Sequence, residues 1–319
     1  MNLNQFLLDL YRLAPSAPSP EFSGAVLERL KRELPFDTAL WGTFTGTPQG
    51  PRPHWVYLHA LPDEMLREYE PVKHLDVLNA KLIANPGRTT AMSLARAQRT
   101  AHPDVIAHAR RWGMENTLAT VALESPLNLY TIVSLYRRDA RRLYSERERR
   151  FKQMILAHLV AAWHMNAMRF LDAPEAEPRG LLRARARIDA LGVIHNADAG
   201  LVDLLRREVP GWTGPVVPPD VLAAVRGGRG RYDGRQVVVS SVRALHDRTL
   251  VISARPRAPV DALSEREREV SREFAAGKTH KEIAALFGTS PATVRSQLQA
   301  AYAKLGVRTK VDLGKHLPD

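Results

Sequence analysis

Apolar positions along the chain change period several times, and each change predicts an element. Over residues 21–34, Val26, Leu27, Leu30 and Leu34 recur at three and four, which predicts a helix. Residues 36–44 and 54–59 are short apolar or aromatic runs separated by Gly and Pro, and they read as strands. A helix is predicted over 103–112, opened by Pro103 and closed by Gly113. Residues 117–123 and 129–136 are apolar, β-branched strands joined by Glu124-Ser-Pro-Leu-Asn128. Ser145 and Glu148 have capping-box spacing and open a long helix to about residue 170. Its apolar positions Phe151, Ile155, Leu159 and Ala162 share one stripe.

A Pro-rich stretch, Asp172-Ala-Pro-Glu-Ala-Glu-Pro178, predicts a stiff linker after that helix. The pattern resumes with short strands over 185–189 and 193–196, helices over 199–207 and 219–225, and a hairpin over 235–245 and 249–254. A second Pro-rich stretch, Arg255-Pro-Arg-Ala-Pro259, predicts another linker.

The tail carries four helix starts in about 55 residues. Ser264 with Glu267 and Thr279 with Glu282 are capping boxes. Ser290 caps a helix whose first residue is Pro291, and Thr309 with Asp312 is a weaker cap. Gly277, Gly288 and Gly306 fall where the first three helices should stop. Val270, Phe274, Ile283, Ala284, Leu286, Val294, Leu298, Leu305 and Leu313 are expected to supply one small core. Helices this short need such packing to persist.

This tail resembles the LuxR/NarL-type (GerE-like) DNA-binding domain. The resemblance rests on Leu263-Ser-Glu-Arg-Glu-Arg-Glu269, Gly277-Lys278, Lys281-Glu-Ile-Ala284, Ser290-Pro-Ala-Thr-Val-Arg295 and Lys304-Leu-Gly-Val-Arg308. It implies a transcription regulator that binds double-stranded DNA, with the helix from Pro291 in the major groove. Buried Val294 and Leu298 would turn Arg295, Ser296 and Gln299 toward base edges, where Arg pairs with guanine and Gln with adenine. Thr279, Lys281, Thr293, Gln297, Lys304 and Arg308 would hold phosphates. The family often has His or Asn where Gln297 sits. The resemblance also implies a homodimer on two half-sites and contact with RNA polymerase. Alone, each polar residue would read as part of a solvated helix face.

The chain ahead of the tail resembles a GAF domain over 1–171 and a compact PAS domain over 179–255. The second resemblance rests on Gly192-Val-Ile-His-Asn-Ala197, a short helix and a late hairpin. The expected fold is therefore α+β: two sensor domains with helices around antiparallel sheets, then an all-α, four-helix domain over 262–319. A small-molecule effector in the first domain is expected, with Trp41, Phe44, Trp55, Tyr57, Tyr69 and Trp112 as candidate pocket aromatics and Asp76 or Arg111 as anchor. Ordinary core packing is the commoner fate of aromatic side chains on strands. Trp55-x-Tyr57, Asp76 and Trp112-Gly113 loosely resemble the acyl-homoserine-lactone sensors. Asp76 is followed by Val and Leu, not Pro-Val, and a middle domain is foreign to that pattern, so no lactone is expected. The alternative is a ligand-independent regulator whose front domains bind protein.

The 319-residue chain carries a net charge of +12 and is 45% hydrophobic. The excess suits a polyanionic partner, although arginine-rich codon usage would produce it too. The tail itself is close to charge-balanced, because acidic residues crowd its first helix, so a local face must bind DNA there. There is no cysteine, which removes disulfides and thiol chemistry. No basic region precedes an apolar stretch at the N-terminus and no run is long enough to span a membrane, so a cytoplasmic protein is expected. Nucleotide loops, nucleophile elbows and a phospho-receiver arrangement are missing, so no enzyme is expected. His54 with His59 and His158 with His164 lack ligand spacing on one face, and His195 and His246 read as structural. No metal, haem or other cofactor is expected. A sigma-factor-like module would need an aromatic, basic promoter-melting helix upstream, and none is found.

Overall fold

The computed structural model describes residues 2–124, 127–169, 183–243 and 249–317. The first expected linker, from Asp172 to Pro178, lies outside the described residues, as do His246 and part of the 124–128 connection. Among the described residues, no helix is long and apolar enough to cross a membrane.

The front of the chain is built on a five-stranded antiparallel sheet. In chain order it contains α1 (Leu3–Ser16), α2 (Ser19–Glu33), β1 (Thr38–Thr47), β2 (Gly50–His59), α3 (Glu64–Tyr69), α4 (Val77–Ala84), β3 (Thr90–Ser93), α5 (Leu94–Ala97), α6 (Pro103–Arg111), β4 (Asn116–Glu124), β5 (Leu129–Arg137) and α7 (Glu146–Arg169). The strand order is β2-β1-β5-β4-β3. Helix α1 was not expected from the pattern. Asn2 caps it by accepting from the Gln5 amide, and its Phe6 and Leu10 are buried. The expected capping box of α7 forms: the Glu148 amide donates to Ser145 Oγ and the Ser145 amide to Glu148 Oε2.

Period-two alternation gives the sheet two different faces. Trp41, Leu118, Val133 and Leu135 face α1, α2 and α7, where Phe22, Leu30, Phe151, Ile155 and Leu159 complete the core. Lys152 of α7 is also fully buried there. Its Nζ donates to Thr120 Oγ1 and the Val133 carbonyl, and burial pushes its pKa well below the usual lysine range. The opposite face is covered by α3 to α6.

A second sheet follows: β6 (Ala184–Ile188), β7 (Ile194–Ala197), α8 (Ala199–Glu208), α9 (Pro219–Arg226), β8 (Arg231–Asp233), β9 (Val237–Arg243) and β10 (Leu250–Pro256). Its order, β7-β6-β10-β9-β8, repeats the second-first-fifth-fourth-third order of the first sheet. The short edge strand β8 was missed in the sequence, where Tyr232 is its only apolar residue. Aliphatic residues of this sheet and its helices form a core that also takes in Leu127 and Leu129 from the first sheet's hairpin. Gly214, at φ +70°, lies against the Leu127 carbonyl, and a Cβ there would sit 2.9 Å from that oxygen. The seam between the two sheets is therefore packed.

The C-terminal unit comprises α10 (Glu265–Ala275), α11 (His280–Leu286), α12 (Pro291–Leu305) and α13 (Lys310–His316). The expected second linker is not a loose spacer. Arg255 lies within β10, and residues Pro259–Ala262 form a 3-10 turn. Asp261 of that turn is buried. It accepts from Arg255 Nη1 and Nη2 at 2.6 Å each, from Arg231 Nη2 at 2.9 Å, and from the Ala258 amide at 2.8 Å. Val260 and Leu263 on either side join the C-terminal core. Two prolines suggested chain stiffness, but the ion pair that fastens the segment uses Arg231, thirty positions away in sequence.

Burial would raise the Asp261 pKa, but Arg255, the Ala258 amide and Arg231 together hold it down to about 2. A carboxylate with a depressed folded pKa stabilises above its unfolded pKa and loses that contribution as pH falls through the folded one. Acid denaturation of the full chain should therefore show a loss between about pH 4 and pH 2 that Asp261→Asn largely lacks, with the variant less stable at pH 7. Circular dichroism melts across that range check it.

Candidate functional site

In the C-terminal unit, each cap read from the sequence closes as drawn. The Glu267 amide donates to Ser264 Oγ, the Glu282 amide to Thr279 Oγ1, the Thr293 amide to Ser290 Oγ and the Asp312 amide to Thr309 Oγ1. Gly306 ends α12 in the left-handed region at φ +66°, where a side chain would be strained. Val294, Leu298, Ala301 and Leu305 form the buried stripe of α12. Leu286, expected in the core, is instead 54% exposed, because Ile283 and Ala284 already fill the inward face of the short α11.

That stripe decides what α12 shows to solvent. Thr293, Arg295, Ser296 and Gln299 are exposed, and Gln297 is half-buried with its Oε1 enclosed and unpartnered. Lys281 on α11 and Arg308 beyond α12 are exposed as well. Thr279 is exposed, but its hydroxyl donates to Glu282 within the cap. Lys304 departs from expectation. Its Nζ donates to both oxygens of Glu267, at 2.7 and 2.9 Å, so it ties α12 to α10 rather than standing free for a phosphate. Burial would raise Glu267, but Lys304 and Ser264 hold it below the usual carboxylate range, so the pair stays charged. The sequence signal was present in the acid of the first capping box, which has two oxygens and needs only one for the cap.

Residues 261–316 match the family described as bacterial regulatory proteins, luxR family. The C-terminal unit is a LuxR-family DNA-binding domain. No curated protein matches the chain. Among solved structures, the chain is similar to Escherichia coli SdiA, at 15% identity and a TM-score of 0.43, over 99% of this chain and 96% of that one. CepR2 of Burkholderia cenocepacia, an N-acylhomoserine-lactone-dependent LuxR-family factor, aligns at 16% identity and TM-score 0.42, over 54% of this chain and 99% of that one. The phycoerythrobilin-bound GAF domain of a cyanobacterial phytochrome aligns at 13% identity and TM-score 0.38, over 53% of this chain and 97% of that one.

The first sheet and α3 to α6 border a partly open cavity of about 380 Å³. Leu40, Gly42 and Phe44 of β1 and Ile132, Ser134 and Tyr136 of β5 form its floor. Met65, Leu82, Leu94 and Ile106 come from the covering helices. Of the residues expected there, Phe44, Tyr69 and Asp76 line it. Trp41, Trp55 and Tyr57 do not. Odd positions of β1 and their cross-strand partners on β2 point to the opposite face, where Trp41 is fully buried and Trp55 packs on Trp163 with ring centroids 5.2 Å apart. Trp112 is also outside, its Nε1 donating to Glu68, which pairs with Arg111 at 2.9 Å. The residues missed, among them Met65, Ile106 and His108, lie on short helices whose partner face depends on the tertiary fold.

Asp76 is fully engaged. Oδ1 accepts from the Leu78 and Asn79 amides as the cap of α4, and Oδ2 accepts from the Tyr69 hydroxyl at 2.8 Å and from Asn79 Nδ2 at 3.1 Å. Burial, then the Asp76 charge, push the Tyr69 phenol well above its usual pKa, so it remains a donor to Asp76.

Proposed function

We propose that the chain is a one-component transcription regulator whose front segment binds a small apolar effector and whose LuxR-family domain carries the response to double-stranded DNA. The observation that supports DNA reading most is the register of α12: with Val294 and Leu298 buried, Arg295, Ser296 and Gln299 share the exposed face. Arg295 would chelate a guanine edge, Gln299 an adenine, and Thr293, Gln297, Lys281, Thr279 and Arg308 would hold the backbone. The 380 Å³ apolar cavity supports the sensor role, since it falls in the size range of small-molecule sites. Three domains are proposed, with residues 179–255 as a PAS-like spacer. Its core of aliphatic side chains favours a scaffolding role for that unit.

Homodimerisation is part of the proposal. Few phosphate contacts are available to one domain, each worth about one unit of salt slope, so two half-sites are needed for useful affinity. Helix α7 supplies a surface: Met154 and Met165 are about half exposed, and Ala157 and Ala161 between them continue the stripe at helical spacing. RNA polymerase is the expected partner of the DNA-bound form.

Arg295→Ala should leave the fold intact and weaken binding to a selected operator by about 1–3 kcal/mol, with nonspecific DNA affinity nearly unchanged. Electrophoretic mobility shifts at fixed salt check it, and full operator affinity in the variant refutes the register. The double variant Met154→Glu/Met165→Glu should sediment as a monomer and lose the two-fold footprint. A dimeric variant would place the interface elsewhere.

A further inference from the structure

Several exposed cations of the front unit are neutralised where they stand: Arg67 by Glu64, Arg111 by Glu68 and Arg150 by Glu146. The turn between β5 and α7 differs. Arg138, Arg141 and Arg142, with Arg147 on the first turn of α7, are exposed, and their guanidinium groups form no ion pair or hydrogen bond among the described residues. Two acids lie close by, but both face the backbone. Asp37 Oδ2 accepts from the Arg138 amide at 2.8 Å, and Asp139 Oδ1 from the Arg141 amide at 2.9 Å. Leu143, beside these cations, is 50% exposed.

On a loose loop such side chains would read as a solvated edge. This turn is held from below by Arg137, which is buried. Its Nε donates to the Pro35 carbonyl at 2.9 Å, its Nη1 to the Leu143 carbonyl at 3.0 Å, and its Nη2 to Glu148 at 2.5 Å. Its guanidinium carbon lies 3.9 Å from the centre of the Tyr144 ring. Asn116 Nδ2 and the Arg142 amide both donate to the Asp139 carbonyl, at 2.9 and 3.1 Å. The backbone that displays Arg141, Arg142 and Leu143 is therefore ordered before any partner arrives, which lowers the entropic cost of binding.

We infer that the turn of residues 138–143 is an interaction surface for an acidic protein segment that also carries an apolar side chain. Guanidinium groups pair with carboxylates through two parallel hydrogen bonds, and arginine is enriched among the residues that dominate binding energy. Leu143 decides between classes of polyanion. A nucleic-acid backbone meets it with phosphates and sugars, whereas a protein segment can cover it with an apolar side chain and remove that surface from water. Neither DNA nor an effector takes part, so this surface goes beyond the regulator reading and does not depend on it.

Fluorescence anisotropy on the full chain at fixed salt tests this with four labelled probes: a Glu/Leu peptide, a Glu/Ser peptide of equal charge, a Lys/Leu peptide and a random-sequence DNA duplex. The wild type should bind the Glu/Leu peptide most tightly of the three peptides. Arg141→Glu/Arg142→Glu should weaken that peptide by about tenfold and strengthen the Lys/Leu peptide. The same charge change at two other exposed arginines, Arg96→Glu/Arg99→Glu, should do neither. Leu143→Ser should bring the Glu/Leu peptide down to the level of the Glu/Ser peptide. DNA affinity should fall no further in the turn variant than in the Arg96/Arg99 control. Circular dichroism establishes that the variants fold, and should the charge reversal unfold, Arg141→Gln/Arg142→Gln takes its place. Equal loss of the Glu/Leu peptide in both double variants overturns the inference, because net charge alone would then explain binding. Glu/Leu affinity untouched by Leu143→Ser, or DNA affinity lost selectively in the turn variant, overturns the protein partner in favour of a nucleic acid. Failure of the Glu/Leu peptide to bind the wild type overturns the surface altogether.

Discussion

A β-strand cannot present the same residues to both sides of its sheet, and that constraint organises the front half of the molecule. On β1, Trp41 goes to one side and Leu40, Gly42 and Phe44 to the other. The long helix α7, joined by α1 and α2, lies on the first side and fills it to completion. The second side is left to four helices of nine residues or fewer, α3 to α6. Short helices pack less continuously, and the hollow is found beneath them. A solid core and a cavity thus share one sheet, back to back.

The same sheet is tied forward. Leu127 and Leu129 at its hairpin enter the core of the second sheet, and Gly214 lets the two backbones approach. The second sheet is tied forward in turn through Asp261, which both Arg255 of β10 and Arg231 of β8 hold at the threshold of the LuxR-family domain. Breaking a buried pair of this kind leaves an uncompensated charge, so the junction resists independent rotation. An effector that shifts α3 to α6 would act on a chain of packed parts rather than on domains hung from loose linkers.

How much of this was legible in the sequence depended on the range of the signal. Caps are local, so Ser145, Ser264, Thr279, Ser290 and Thr309 could be placed from spacing, and the register of α12 followed from Val294 and Leu298. The candidate cavity was half legible. Phe44, Tyr69 and Asp76 line it, but Trp41, Trp55 and Tyr57 belong to the opposite face. Alternation shows that neighbours on a strand diverge, yet it does not say which side is the filled one. That is decided by α1 and α7, which lie far apart in sequence, and α1 was itself missed. The partners of Lys304 and Arg255 were not legible for a related reason. Each is a cation whose partner, Glu267 or Asp261, is brought near only by the fold.

The central claim is that the hollow beneath α3 to α6 takes a small molecule and that its occupancy is felt at the DNA. Ala119 lies on the cavity floor and is buried, so Ala119→Phe puts a ring where the ligand would sit. The most direct measurement is the operator affinity of the full chain and of this variant, with and without the small-molecule fraction of a cell extract. The account predicts that the wild type's affinity shifts when the fraction is added, and that the filled variant stays at one level. An equal shift in both proteins, or none in the wild type, would contradict it.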